Sequence, residues 1–235
     1  MSYSKSSARH SYERFSARLL SLAKSTEKMT ALTYEHKNLI YQSIIVLLSS
    51  AIEEYHKTFI EDWFYKLTVA NVRMIKIHDN TKFFGLLHGT EQYYKSFLFD
   101  RDNEKETIKK LVTNKDVLKK YLDDSESFNI PWLARCVWSD KKYPSVKNIT
   151  TLYNRLGIVD VFGVLSRLKH KDYKMQLNSF LSVRESIAHV GAGAVTYNDI
   201  KNHVSHIDEL IYLLDKELYK HSCRVAGSVF WPNEQ

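Results

Sequence analysis

The sequence predicts an all-α helical bundle, and three observations predict it. Glycine and proline are scarce, 7 and 3 in 235 residues, too few for the tight turns of an all-β design. Apolar residues make up 44% of the chain, enough for a substantial core. Those residues recur with the 3.6-residue period of helices over most of the length.

Residues 6–28 form an amphipathic helix with Phe15, Leu19, Leu22 and Ala23 on its inner side. A long helix is expected from Thr33 to Lys66. Its stripe of Ile40, Ile44, Leu47, Leu48, Ala51, Tyr55 and Phe59 is wide enough to be packed by several neighbours. Glu53 and Glu54 interrupt this run and read as a solvated face. Residues 82–88 and 91–99 read as short helices hinged at Gly85 and Gly89. A charged helix over 102–123, with a break near Thr113-Asn114-Lys115, turns Ile108, Leu111, Val112, Val117, Leu118 and Leu122 inward. The stretch from Ser125 to Ser145 holds Phe128, Trp132, Trp138 and Tyr143 and reads as an ordered connection, because aromatic residues at that density pack. Short helices over 147–156 and 159–168 lead to a helix over 173–190 that Gly191 ends. Thr196 caps the last helix, with Asp199 three residues on favouring its positive end. Ile200, Val204, Ile207, Ile211, Leu214 and Leu218 give that helix its stripe to about Lys220, and the tail from Ala226 has no period. No repeat or linker divides the chain, so residues 1–235 read as one helical domain.

The net charge of +7 suits nucleic acid and equally an acidic protein partner. Cys136 and Cys223 have neither metal-ligand spacing nor a disulfide framework, and the simple reading is a reduced, cytoplasmic protein. The first residues lack an apolar leader. The greasiest segment, 39–52, is broken by Gln42, Ser43, Ser49 and Ser50 and falls short of the roughly 20 residues a membrane span needs. No membrane association is expected. Nor is a cofactor or metal: Asp199, His203 and His206 share one flank of a helix without a matching set elsewhere. Gly191 and Gly193 follow no strand and precede no Gly-Lys-Ser/Thr.

The chemistry concentrates in residues 177–189. Leu177, Phe180, Leu181, Ile187 and Ala188 form an apolar stripe with Arg184 in its middle. A guanidinium there is costly to desolvate unless an anion meets it. His189, whose charge changes near neutral pH, follows five positions later, about 140° further round an ideal helix. The two share a face only if the last turn loosens. Asn178, Ser182, Glu185 and His189 make a second stripe, in which Glu185 is placed to hold the imidazole by an i,i+4 hydrogen bond. The plainer alternative pairs Arg184 with a buried carboxylate such as Glu54 and makes His189 a helix cap. Arg167, Lys169, His170, Lys171 and Lys174 cluster before this helix, either as a guide for RNA backbone or as a solvated basic turn.

Arg184-Glu185-Ser186-Ile187-Ala188-His189 resembles the Arg-x(4–6)-His signature of HEPN ribonuclease domains. The apolar helix that carries it, the Val190-Gly191-Ala192-Gly193 turn and the capped helix beyond are most similar to the RiboL-PSP-type branch, clearest over 148–222 and fainter over 33–66. Glu185 departs from the Asn, Asp or His that commonly follows the arginine. The resemblance implies an all-α HEPN bundle, with residues 70–145 as a helical insertion. It implies a homodimer whose two motifs form one composite cleft. In that cleft a metal-independent endoribonuclease uses the RNA 2′-hydroxyl to leave a 2′,3′-cyclic phosphate. Arg184 and His189 are then the catalytic pair, with Glu185 in support and Arg167, Lys169, Lys171 and Lys174 as RNA contacts. Toxin or antiphage-defence roles with a neutralising antitoxin protein go with the branch. The alternative it leaves open is a catalytically silent module that binds RNA or a protein.

Overall fold

Ten α-helices and no strand occur among the described residues of the computed structural model, which are 2–99, 104–190 and 193–233. Helix α1 (Ser7–Lys28) starts where the Ser6 side chain accepts the Arg9 N–H. It lies along α2 (Tyr34–Val69), whose 36 residues form the axis of the bundle. The stripe on α2 is buried at Ile44, Leu48, Tyr55 and Phe59 as its period requires. Leu47 is a correction: it is 42% exposed. It falls with Leu39, Ser43, Ser50 and Glu54 in a sector of α2 that α1, α6 and α9 leave uncovered. Leu22 of α1 is likewise exposed.

A 3₁₀ turn at Met74–Lys76 precedes α3 (Asp79–Phe99). The helix runs unbroken through Gly85 and Gly89, where the sequence suggested hinges. Gly85 serves packing instead: a Cβ there would lie 2.6 Å from the Tyr121 ring. Asn114 separates α4 (Glu104–Thr113) from α5 (Lys115–Leu122), near the expected break. The expected inner side of that pair is corrected at Ile108, Val112 and Leu122, which are exposed; Leu111 and Leu118 are half-buried, Tyr121 is buried, and the Val117 side chain lies outside the described residues. The connection after Ser125 contains one further helix, α6 (Pro131–Ser139), which starts on a proline whose missing N–H costs nothing at that position. It packs on α2.

Helices α7 (Val146–Arg155), α8 (Val161–Lys169), α9 (Tyr173–Val190) and α10 (Tyr197–Val225) complete the order. His170 takes a left-handed conformation, φ 53°, to turn the chain from α8 into α9. Thr196 and Asp199 form the reciprocal cap at the start of α10. The tail beyond α10, unperiodic in sequence, still docks, with Trp231 buried and its indole N–H on the Ser4 carbonyl. None of the helices, among the described residues, is long and apolar enough to cross a membrane.

Candidate active site

The register of α9 against α2 positions the motif. Near the end of α9, the Val195 N–H donates to Asn38 Oδ1 at 2.8 Å and Gln42 Nε2 to the Gly193 carbonyl at 3.3 Å. Further back along α9, Arg184 is an electrostatic neighbour of Glu53. Residue numbers therefore rise on one helix as they fall on the other. That antiparallel register sets the last turn of α9, with His189, level with Val46–Ser50.

Leu177, Phe180 and Leu181 of α9 are buried, as their stripe predicts. Arg184 is half-buried in the same sector. Its guanidinium carbon lies 5.4 Å from the centre of the Tyr143 ring, and its Nε is buried with no hydrogen-bond partner. No carboxylate stands within 4.0 Å of it among the described residues. Glu54, the carboxylate that sequence alone offers as a partner, instead pairs with Lys57 at 3.1 Å. The nearby acid is Glu53, whose carboxyl is pushed upward by burial and drawn back by Arg184 and Lys142. Arg184 is therefore a partly desolvated cation resting on an aromatic face, a cation–π contact, with hydrogen-bonding capacity unspent.

His189 is exposed on the last turn of α9. The helix stays regular through Val190, so the loosening that would bring Arg184 and His189 to one face does not occur in the described residues. The pair remains about 140° apart around the axis and about 7.5 Å apart along it. Gly191 and Ala192, the expected glycine stop, lie outside the described residues. Glu185 is a second correction. Its Oε1 accepts the Tyr143 hydroxyl at 2.8 Å, and it makes no hydrogen bond to His189. The phenol reaches Glu185 from the segment after α6, a region remote in sequence, and so displaces the local i,i+4 pairing. Burial and this bond together push the Tyr143 hydroxyl up to about 12.

The basic cluster does not join the pair. Lys171 is taken by Glu209 at 2.6 Å and Arg167 stands 3.9 Å from Asp160, while Lys169 and Lys174 are exposed. Lys174 and His189 are separated by about 22 Å of helix. Four residues that sequence reasoning passed over do gather at the site: Glu53 from α2, and Trp138, Lys142 and Tyr143 from the segment around the end of α6. The one signal for the last three is the interleaving of basic and aromatic residues over 138–143; Glu53 has none. No group of three or more His, Cys, Asp or Glu side chains suited to a metal occurs among the described residues.

An all-helical bundle that presents an Arg-x4-His pair on one helix, followed by a turn and a capped helix, has the architecture of a HEPN domain. A family model described as RiboL-PSP-HEPN matches residues 13–220, and the chain belongs to that family. No curated protein and no solved structure matches it.

Proposed function

We propose that this protein is a metal-independent endoribonuclease that works as a homodimer. The observation that carries the reading is Arg184, a half-buried guanidinium with an unpartnered Nε and no carboxylate within ion-pair distance. Desolvating a cation without pairing it is costly unless a ligand repays the cost on binding, and the planar fork of arginine fits two phosphate oxygens. In the reaction the ribose 2′-oxygen attacks the adjacent phosphorus as the bond to the 5′-oxygen breaks. The products are a 2′,3′-cyclic phosphate and a 5′-hydroxyl. His189 of the second copy accepts the 2′-hydroxyl proton, water protonates the leaving 5′-oxygen, and Arg184 holds the charge that builds on phosphorus.

The same geometry supports a dimer. Arg184 and His189 of one chain diverge around α9, so a site needing both draws them from two copies. The uncovered sector of α2, with Leu39 and Leu47 exposed, is level with the last turn of α9 and offers the second copy an apolar surface. We take residues 1–235 as one domain and 70–145 as an insertion that walls the site, since Trp138, Lys142 and Tyr143 come from it. A growth-arresting toxin or antiphage-defence effector, held in check by a neutralising protein, is the role proposed for such an enzyme. The two free cysteines accord with a cytoplasmic location.

One observation favours a second reading, a silent module that binds RNA or a protein: Glu185 is held by Tyr143 and leaves His189 without a carboxylate to orient it. Labelled RNA incubated in EDTA with wild type, Arg184→Ala and His189→Ala separates the two. Cleavage by wild type alone, with cyclic-phosphate ends, is the expected result. Binding without cleavage by all three would establish the silent module.

A further inference from the structure

Beside Arg184 lies a cleft of about 240 Å³ between α2 and the chain leaving α6. One wall is the Trp138 indole, held by its N–H on Glu61 Oε1 at 3.2 Å. Lys57 and Lys142 bring their ammonium groups to 5.9 and 5.4 Å from its centre. An aromatic face flanked by cations is how proteins bind single-stranded nucleic acid, the ring taking a base and the cations the backbone. Across the cleft is Glu53, which has no hydrogen bond or ion pair among the described residues, whereas its neighbour Glu54 is occupied by Lys57. A free carboxylate presents two adjacent acceptors. Guanine alone among the four RNA bases offers two adjacent N–H donors on its pairing edge. Burial pushes the Glu53 carboxyl upward, so the ionised group gains from such donors. Tyr143, which follows the lining residue Lys142 directly in the chain, carries the Arg184 guanidinium on its ring.

We propose that this cleft seats one unpaired guanine of the RNA, with the base stacked on Trp138, its edge on Glu53, and its phosphate handed to Arg184. The proposal rests on the ribonuclease reading and adds to it a base preference next to the cleaved bond. Lys57 and Lys142 leave the indole for the flanking phosphates when the base enters. Trp138 and Glu53 then determine where cleavage falls, whereas Arg184 and His189 determine whether it occurs.

The test measures binding in His189→Ala protein, which holds RNA uncut. Single-stranded oligonucleotides carry one guanine at successive positions, replaced in turn by adenine or by an abasic sugar. At one position the abasic sugar weakens binding by about 5- to 150-fold, the range that losing one stacked base spans. Adding Trp138→Ala removes that sensitivity. Adding Glu53→Gln, which keeps size and fold, erases the preference for guanine over adenine, because the amide offers one acceptor oxygen where the carboxylate offers two. A Glu53→Gln variant that weakens all oligonucleotides equally would reduce Glu53 to a counter-charge for Arg184 and overturn the proposal. RNA that is bound and, by wild type, cleaved, with no position sensitive to Trp138 or Glu53, overturns the cleft and spares the nuclease. An absence of any RNA binding removes both.

Discussion

Asp215 and Arg184 are charges taken out of water by the same bundle, and they are treated in opposite ways. Asp215, fully buried on α10, accepts from the Tyr3 hydroxyl at 2.6 Å, the Tyr55 hydroxyl at 3.1 Å, the Ser6 N–H at 3.2 Å and the Ser6 hydroxyl. Burial pushes its carboxyl upward and those donors draw it back. The cluster ties the residues before α1 to α2 and α10. Arg184 has an aromatic ring beneath it and an unpartnered Nε. A buried charge whose hydrogen bonds are filled by its own chain is a fastening. In the proposed reading, Arg184, whose bonds are left open, is equipment for a ligand.

The widest separation between the two comes from truncating each. Asp215→Ala strands several buried donors and lowers the unfolding free energy by about 3–5 kcal/mol. Chemical denaturation reads this directly, and the fraction still folded cleaves RNA normally. Arg184→Ala changes stability by no more than about 1 kcal/mol and cuts the cleavage rate by about 10²–10³-fold. Equal destabilisation by both variants would erase the distinction.

The distinction was only partly legible in the sequence. Arg184 stood out because helical periodicity alone puts it among Leu177, Phe180 and Leu181. The stripes of α2 and α10 were legible for the same reason. What sequence could not supply was partners from afar: Tyr143 lies 42 residues from Glu185, and no local period brings a phenol there. Glu53 read as a solvated face because its neighbours in the fold, Arg184 and Lys142, are distant in the chain. Gly85 read as a hinge for want of Tyr121. Leu47 and Val112 fit their stripes yet face outward, since a period tells which side of a helix is apolar and not whether anything covers it. Asp215 drew no notice at all, because its donors Tyr3 and Ser6 lie 212 and 209 residues away.

Tyr143 sharpens the comparison at the next level. Tyr143→Ala removes the platform under Arg184, worth on the order of 1 kcal/mol, and lowers cleavage about tenfold with little change in melting. Tyr143→Phe keeps the platform and loses only the Glu185 bond, so its cleavage rate stays within about threefold of wild type. Single-turnover rates on one RNA distinguish them, and equal losses in both variants would make the hydroxyl, not the ring, the part that matters.

Acid affects the structural side of the molecule. Burial pushes His56 and His221 down to about 4. Unfolded, both rings take up protons below their ordinary value near 6.5, while the folded protein keeps them neutral until about pH 4. Stability is therefore fully present above pH 6.5 and falls as pH drops toward 4, by on the order of a few kcal/mol. His56→Asn keeps a donor for the Ile52 carbonyl and does not titrate, so its denaturation midpoint falls less steeply over that window. A slope identical to wild type would show that His56 takes no part.

Mixing inactive variants tests the central claim, that Arg184 finds its partners outside its own chain. Arg184→Ala and His189→Ala are combined, exchanged through mild denaturation and refolding, and assayed on RNA in EDTA. Random pairing makes half the dimers mixed, each with one intact Arg184 facing one intact His189 across the two-fold axis. Cleavage then returns to about one quarter of wild type, although neither parent cuts. A mixture as inactive as its parents, or a wild-type monomer that cleaves at full rate, would contradict the shared site.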